Sequence, residues 1–213
     1  MRPAAALAVL ALAPLAWPQQ PPAEPFGPLL DRIWQGVQRA QNTTRTGRGT
    51  ITETRTSKML ARPLVFHGKF QASGLTKFYL EYVEPEPVRI VFNQDYLNVT
   101  TGGDKKTTEV LKVGEQVRRT QSYFSRENSI GHLKENFTIA VTENRAGYEM
   151  RLVPKSPRFK KRINYVVVQL NRDDFLLRSL EVDGASGVNS RFEIHMDAIN
   201  APVDENLFKV YRP

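Results

Sequence analysis

From residue 47 onward the chain is a succession of short runs in which apolar and polar residues alternate. They cover 50–56, 64–72, 75–83, 88–92, 96–101 and 107–111, then 137–142, 148–153, 163–170, 175–182, 190–199 and 207–211, with Gly, Pro, Asn and Asp at most junctions. A period of two marks half-buried strands, and joins this short leave no room for crossover helices, so neighbours pair antiparallel. Asn171-Arg-Asp-Asp174 and Asp183-Gly184 carry the residues that hairpin turns demand. Two segments break the alternation. Leu29, Leu30, Ile33, Trp34 and Val37 recur at helical spacing and predict an amphipathic helix over 28–41. Residues 114–132, with Val117, Phe124 and Ile130 among polar residues, predict a second helix or a pair of turns. A long meander with one helix before it and another in its middle predicts a mainly β fold with α: one highly curved antiparallel sheet, closed or nearly closed, with helices packed into its open side.

The 213 residues suit one folded unit, expected over 28–213. Met-Arg-Pro followed by an Ala/Leu/Val run over 4–15 has the form of a secretory signal peptide, too short to span a bilayer comfortably. Residues 1–20 are therefore expected to be signal and leader, with cleavage between Ala13 and Gln20, and the Pro-rich stretch 18–28 a flexible lead-in. Export makes nucleic acid an unsuitable partner and predicts a soluble chain outside the cytoplasm. The chain has no cysteine, which removes disulfides, thiol nucleophiles and an acylated Cys after the signal. A net charge of +8 predicts attraction to acidic surfaces, whether anionic headgroups or acidic proteins.

Catalytic constellations are scarce. His67, His132 and His195 are too scattered for a local metal motif, no Gly-x-Ser-x-Gly elbow occurs, and Gly47-x-Gly49 and Gly102-Gly103 lack the spacing of nucleotide loops. The acidic pairs Glu84/Glu86 and Asp173/Asp174 flank a proline or fall in a turn. No enzyme activity, metal or cofactor is expected. Arg158-Phe-Lys-Lys-Arg162 is the densest basic cluster, on a solvated loop or an edge strand.

In the segment Gly68-Lys-Phe-Gln-Ala-Ser-Gly-Leu-Thr-Lys-Phe-Tyr-Leu-Glu-Tyr-Val-Glu-Pro85, Phe78, Leu80 and Tyr82 share one strand face, and Lys77, Tyr79, Glu81 and Val83 share the other. By itself this fits an ordinary core as well as a cavity wall. The segment, with its central Phe-x-apolar-x-apolar and closing Pro, resembles the signature of the periplasmic outer-membrane lipoprotein carriers, the LolA-like family. Residues 88–99 resemble the hairpin that follows, and Leu152-Val-Pro154 resembles the family's Leu-x-Pro before a basic loop. Asp183, Gly187, Phe192, Ile194, Asn200, Asp204 and Phe208 match the closing pattern in order. The resemblance runs from about Pro28 to Val210.

The resemblance implies an unclosed β-barrel (half-barrel) whose apolar cavity, under a helical lid, shields acyl chains of lipoproteins or a related amphiphile during transport toward the outer membrane. Phe78, Leu80 and Tyr82 carry over as cavity positions, and Ile90, Phe92, Phe192 and Ile194 are expected beside them. Leu30, Ile33, Trp34, Val37 and Phe124 would form the lid, which either moves with ligand or stays packed as core. Arg158, Lys160, Lys161 and Arg162 would dock partners, an inner-membrane ABC transporter and an outer-membrane acceptor being those implied for a monomeric carrier. An alternative on the same fold is a lipid- or lipoprotein-sensing regulatory module. One departure matters: carriers have an Arg-Pro pair before this strand, its Arg tying barrel to lid, where this chain has Gly74 and Leu75. The Asp-Gly turn of the next hairpin is replaced by Asn93-Gln94.

Overall fold

The computed structural model describes residues 27–102, 106–115 and 130–211, except for the side chain of His132. The expected signal and leader and the expected lid residue Phe124 lie outside the described residues. Helix α1 (Pro28–Thr43) opens the described chain, with Gly27 as N-cap, Pro28 pre-set for the first turn and Asp31 facing the positive helix end. Eleven strands follow: β1 (Thr46–Ser57), β2 (Leu64–Ser73), β3 (Lys77–Glu84), β4 (Val88–Asn93), β5 (Tyr96–Thr101), β6 (Thr107–Lys112), β7 (Phe137–Asn144), β8 (Gly147–Pro154), β9 (Ile163–Asn171), β10 (Leu177–Gly184) and β11 (Val188–Ile199). Helix α2 (Ile130–Asn136) precedes β7, and the one-turn helix α3 (Pro157–Lys160) joins β8 to β9.

All pairings are antiparallel within one sheet of order β6-β5-β4-β3-β2-β1-β11-β10-β9-β8-β7. The sheet does not close: β6 and β7 are its two edges. The first and last strands of the chain lie side by side at its centre, where Thr50–Ser57 pairs residue by residue with Val188–His195. Register places Phe192 opposite Leu180, Leu180 opposite Val168, and Val168 opposite Met150, so the apolar residues of both halves share one face. We call this the inner face.

Two apolar clusters divide it. Leu30, Ile33 and Trp34 of α1 pack with Leu133 of α2 onto Ile139, Tyr148, Met150, Leu152 and Leu170, so the helices roof β7–β10. The stripe has to dock somewhere, because an isolated helix of this length is marginal in water. Gly36 lets the helix approach so closely that a Cβ there would sit 2.3 Å from the Phe175 ring. The helix end is fastened as well. Asn200, in a left-handed conformation at φ 56, accepts from Arg45 N–H at 2.7 Å and donates to the Thr43 carbonyl at 2.9 Å. Arg32 and Arg172 both pair with Glu143 on β7.

Four local expectations need correction. The expected closing strand 207–211 is instead a 3₁₀ turn, Glu205–Phe208, started by the Asp204 side chain accepting from Asn206 N–H at 2.9 Å. Its alternation is not a strand signal, because Phe208 is buried against Tyr79 and Val91 on the outer face, where the β3–β4 pair needs a cover rather than a partner. The strand expected from residue 175 begins at Leu177: Asp174 accepts from Leu176 N–H at 2.8 Å, and Phe175 takes φ 57 in the turn. Of the second helix or pair of turns expected over 114–132, residues 116–129 lie outside the described residues, and the described helix α2 ends at Asn136 rather than at 132. The basic cluster starts as helix α3, not as loop or edge strand, because Ser156 caps it by accepting from Phe159 N–H at 3.4 Å, with Pro157 at N1.

Candidate functional site: the apolar inner face

Among the described residues the second cluster belongs to strands alone. Ile51, Phe70, Leu80 and Tyr82 are buried, and Phe66, Phe78, Val88, Ile90, Phe192, Ile194 and Met196 pack against them while remaining partly exposed. No helix residue takes part in it among the described residues. Cross-strand pairs build it, Phe70 facing Leu80 and Leu80 facing Ile90, and Ile51 facing Ile194 on the other side. The Phe70 and Phe78 rings stack with centroids 6.2 Å apart. On β11 the alternation is complete: Phe192, Ile194 and Met196 are half-buried, while Arg191, Glu193, His195 and Asp197 are exposed on the outer face.

The structure thus brings six of the seven expected cavity residues, Phe78, Leu80, Tyr82, Ile90, Phe192 and Ile194, into one cluster. Phe92 shares their face, opposite Phe78, and is half-buried. The expected lid residues Leu30, Ile33, Trp34 and Val37 lie together over the other half of the inner face, β7–β10. Between the two halves a cavity of about 260 Å³ is lined by Val37, Ala40, Gln41 and Thr44 on α1, Gly74 and Leu75 in the β2–β3 turn, and Leu170, Phe175, Leu176 and Leu177. The positions corresponding to the carriers' Arg-Pro tether therefore do border the helix. Gly74 holds φ 57 in that turn and donates its N–H to Arg45 O at 2.7 Å, so the turn selects glycine where carriers have arginine. At the Asn93-Gln94 replacement the two-residue connection between β4 and β5 holds Gln94 at φ 58.

A carboxylate stands inside this apolar wall, and the sequence reading missed it. Glu53 is 2% exposed. Tyr82 Oη donates to its Oε2 at 2.7 Å and Arg55 Nε to its Oε1 at 2.5 Å. The Arg55 guanidinium lies 4.8 Å from the centroid of Phe66, whose ring meets Tyr82 at 5.6 Å. Burial first, then the bond to Glu53, hold the Tyr82 hydroxyl well above the ordinary tyrosine range. In sequence Glu53 is one of many polar residues on a threonine-rich strand. The available signal was its alternation with Ile51, which sets it on the apolar side.

The other expected residues lie elsewhere. Arg158, Lys160, Lys161 and Arg162 are exposed on and after α3, away from the strand cluster. His67 lies beside Thr52 Oγ1 at 3.3 Å and His195 beside Asp197 at 3.6 Å. Among the described residues no group of three or more His, Cys, Asp or Glu is placed to hold a metal ion, and no described helix is long and apolar enough to cross a membrane.

The family described as outer membrane lipoprotein carrier protein LolA matches residues 42–211. No curated protein matches the chain in sequence. Among solved structures, an uncharacterized conserved protein from Thermus thermophilus is similar at 9% identity and TM-score 0.51, covering 86% of this chain and 95% of that one. MucB in the Pseudomonas aeruginosa MucA/MucB complex is similar at 11% identity and TM-score 0.50, covering 84% of this chain, which spans only 60% of the structure's chain. A LolA superfamily protein from Nitrosomonas europaea matches at 9% identity and TM-score 0.42, over 84% of this chain and 97% of its own. At these identities the likenesses concern the fold.

Proposed function

We propose, since the chain belongs to the outer membrane lipoprotein carrier protein LolA family, that its inner face binds acyl chains and shields them during passage through the periplasm. The observation that carries this reading is the strand-only cluster. Six large apolar side chains, Phe66, Phe78, Ile90, Phe192, Ile194 and Met196, remain partly exposed on a continuous face. Exposed apolar surface of that kind marks an interaction site more often than a structural oversight. Each CH₂ moved out of water contributes about 0.8 kcal/mol, so a long acyl chain needs such a face and needs no directional bond to it.

In this account Phe78, Leu80, Tyr82, Ile90, Phe92, Phe192 and Ile194 line the acyl site. Leu30, Ile33, Trp34 and Val37 form a fixed roof beside that site, over β7–β10. Burying side chains of this size is worth about 1.5–3 kcal/mol each, so lifting three of them would consume most of a typical domain's stability. Asn200 holds the other helix end. Binding is non-catalytic, and the cargo is a lipoprotein acyl chain or a related amphiphile. Export through a signal at residues 1–20 belongs to the same proposal, as does a carrier role between an inner-membrane transporter and an outer-membrane acceptor.

The test is lipid extraction and native mass spectrometry of protein isolated from its own periplasm, with titration of a fluorescent fatty-acyl probe. An acyl-bearing ligand and saturable probe binding are expected; neither ligand nor binding would end the proposal. Capture from solubilised envelope separates transport from sensing. A transporter or lipoproteins support the carrier, whereas an inner-membrane signalling protein as the sole partner supports the sensing module.

A further inference from the structure

Antiparallel strands sort the connections of this sheet into two ends, and the charges do not divide evenly between them. The β1–β2 hairpin, residues 58–63, lies at one end with the β3–β4 turn at 85–87, the β10–β11 turn at 185–187 and the α3 connection at 155–162. Contacts make three of these neighbours: Ser57 pairs with Val188, and Ala185 N–H donates to Arg162 O at 3.0 Å. This end carries the exposed cations Lys58, Arg62, Arg158, Lys160, Lys161 and Arg162, with Glu84 and Glu86 as its turn acids. The opposite end carries Arg45, Lys77, Arg145, Arg172 and Lys209 against Asp95, Asp173, Asp174, Asp204 and Glu205, with Lys77 paired to Glu205.

The basic end also presents apolar side chains to water. Met59 at the hairpin tip is 84% exposed, between Lys58 and Arg62 in the chain, and Leu60 beside it and Val83 at the end of β3 are exposed as well. The tip is shaped, since Ser57 Oγ accepts from Met59 N–H at 3.3 Å and Ser57 O from Leu60 N–H at 3.1 Å. An exposed flexible thioether flanked by cations, beside a second basic turn, is the pattern of a surface that meets anionic headgroups and dips a small apolar wedge among the acyl chains. An acidic protein would match the charge but offers no reason for a bare methionine at the tip.

We infer that this end of the half-barrel docks on an anionic lipid bilayer, with Lys58, Arg62, Arg158, Lys160, Lys161 and Arg162 facing phosphate headgroups and Met59 entering the interface. The inference does not depend on what the inner face carries. Flotation with phosphatidylcholine vesicles, with and without phosphatidylglycerol, tests it directly. Binding is expected only with phosphatidylglycerol, and it weakens as salt rises. The triple variant Lys160→Glu, Lys161→Glu, Arg162→Glu should lose at least about tenfold in vesicle partition. The charge-matched triple Arg45→Glu, Arg145→Glu, Lys209→Glu at the opposite end should lose far less. Because the chain has no cysteine, a polarity-sensitive dye on Met59→Cys reports that site alone; its emission should shift to the blue on phosphatidylglycerol vesicles, and a dye on Ala146→Cys should not. Absence of vesicle binding, equal losses in the two triples, or a Met59 dye that stays in water would each overturn the inference.

Discussion

The Tyr82 hydroxyl donates to Glu53 Oε2 at 2.7 Å inside a wall otherwise built from aromatic and aliphatic side chains. The carboxylate tolerates burial because its other oxygen takes Arg55 Nε. Removing one donor leaves a buried charge short of a partner, so Tyr82→Phe should lower stability by about 1.5–3 kcal/mol in urea unfolding. The paired change Glu53→Leu with Tyr82→Phe should cost less than the sum of the single changes, because no unpaired group is left.

The same pair gives a pH dependence. The folded state holds the Tyr82 proton more tightly than the unfolded chain, in which a tyrosine titrates near pH 10. The contribution is full below that value and is lost as pH rises through the alkaline range above it, where the unfolded state binds fewer protons. Tyr82→Phe should therefore flatten the fall of stability above about pH 10, measured by urea unfolding at fixed pH. An unchanged slope would show that the hydroxyl is not held in this way.

For the acyl site, Ile194 gives a cleaner test than Leu80, because it is half-exposed while Leu80 is 5% exposed. Ile194→Glu should weaken acyl-probe binding at least about tenfold, since a carboxylate against a buried acyl chain is desolvated, with little change in unfolding temperature. Leu80→Glu should cost binding and stability together. Unchanged probe affinity in a folded Ile194→Glu protein would place that strand outside the site.

A fixed roof makes a prediction opposite to that of a swinging lid. At saturating probe, Trp34 emission and the amide exchange of residues 29–39 should stay as they are in free protein. Gly36→Ala should destabilise by about 1–3 kcal/mol through the Phe175 ring, although alanine is the better helix former. An emission shift with faster exchange across α1 on ligand addition would show a moving lid.

The outer face supplies a contrast. Phe208 is 1% exposed over Tyr79 and Val91, and Asn93 Nδ2 donates to its carbonyl at 2.7 Å. Phe208→Ala should cost about 3–5 kcal/mol of stability and leave probe affinity unchanged at temperatures where the variant is folded. A loss of affinity there would couple the outer face to the acyl site.

The strands and the antiparallel pairing of successive ones were legible because period-two alternation and Gly, Pro, Asn and Asp punctuation survive in nearly every segment, whereas the central pairing of β1 with β11 joins strands far apart in the chain and left no local signal. The inner wall followed from the same periodicity, once Phe78, Leu80 and Tyr82 were placed on one side. Tertiary context overrode it in two places: residues 207–211 alternate but serve as a plug, and Phe175 alternates with its strand but sits in a left-handed turn. Alternation alone could not tell which half of the sheet α1 would roof. That depends on Gly36 meeting Phe175 and on Asn200 fastening the helix end, contacts made across more than a hundred residues of chain. Asn200 did stand in the sequence pattern, although its physical role emerges only from its bonds to Arg45 and Thr43.

The most direct measurement is photo-crosslinking with a diazirine-bearing fatty acyl chain, followed by mass-spectrometric mapping of the labelled residues. The account predicts labels concentrated on β2, β3, β4 and β11, at Phe66, Phe78, Ile90, Phe192, Ile194 and Met196, and competed by unlabelled acyl ligand. Labels confined to the outer face, or scattered without competition, would contradict an acyl site on the inner face.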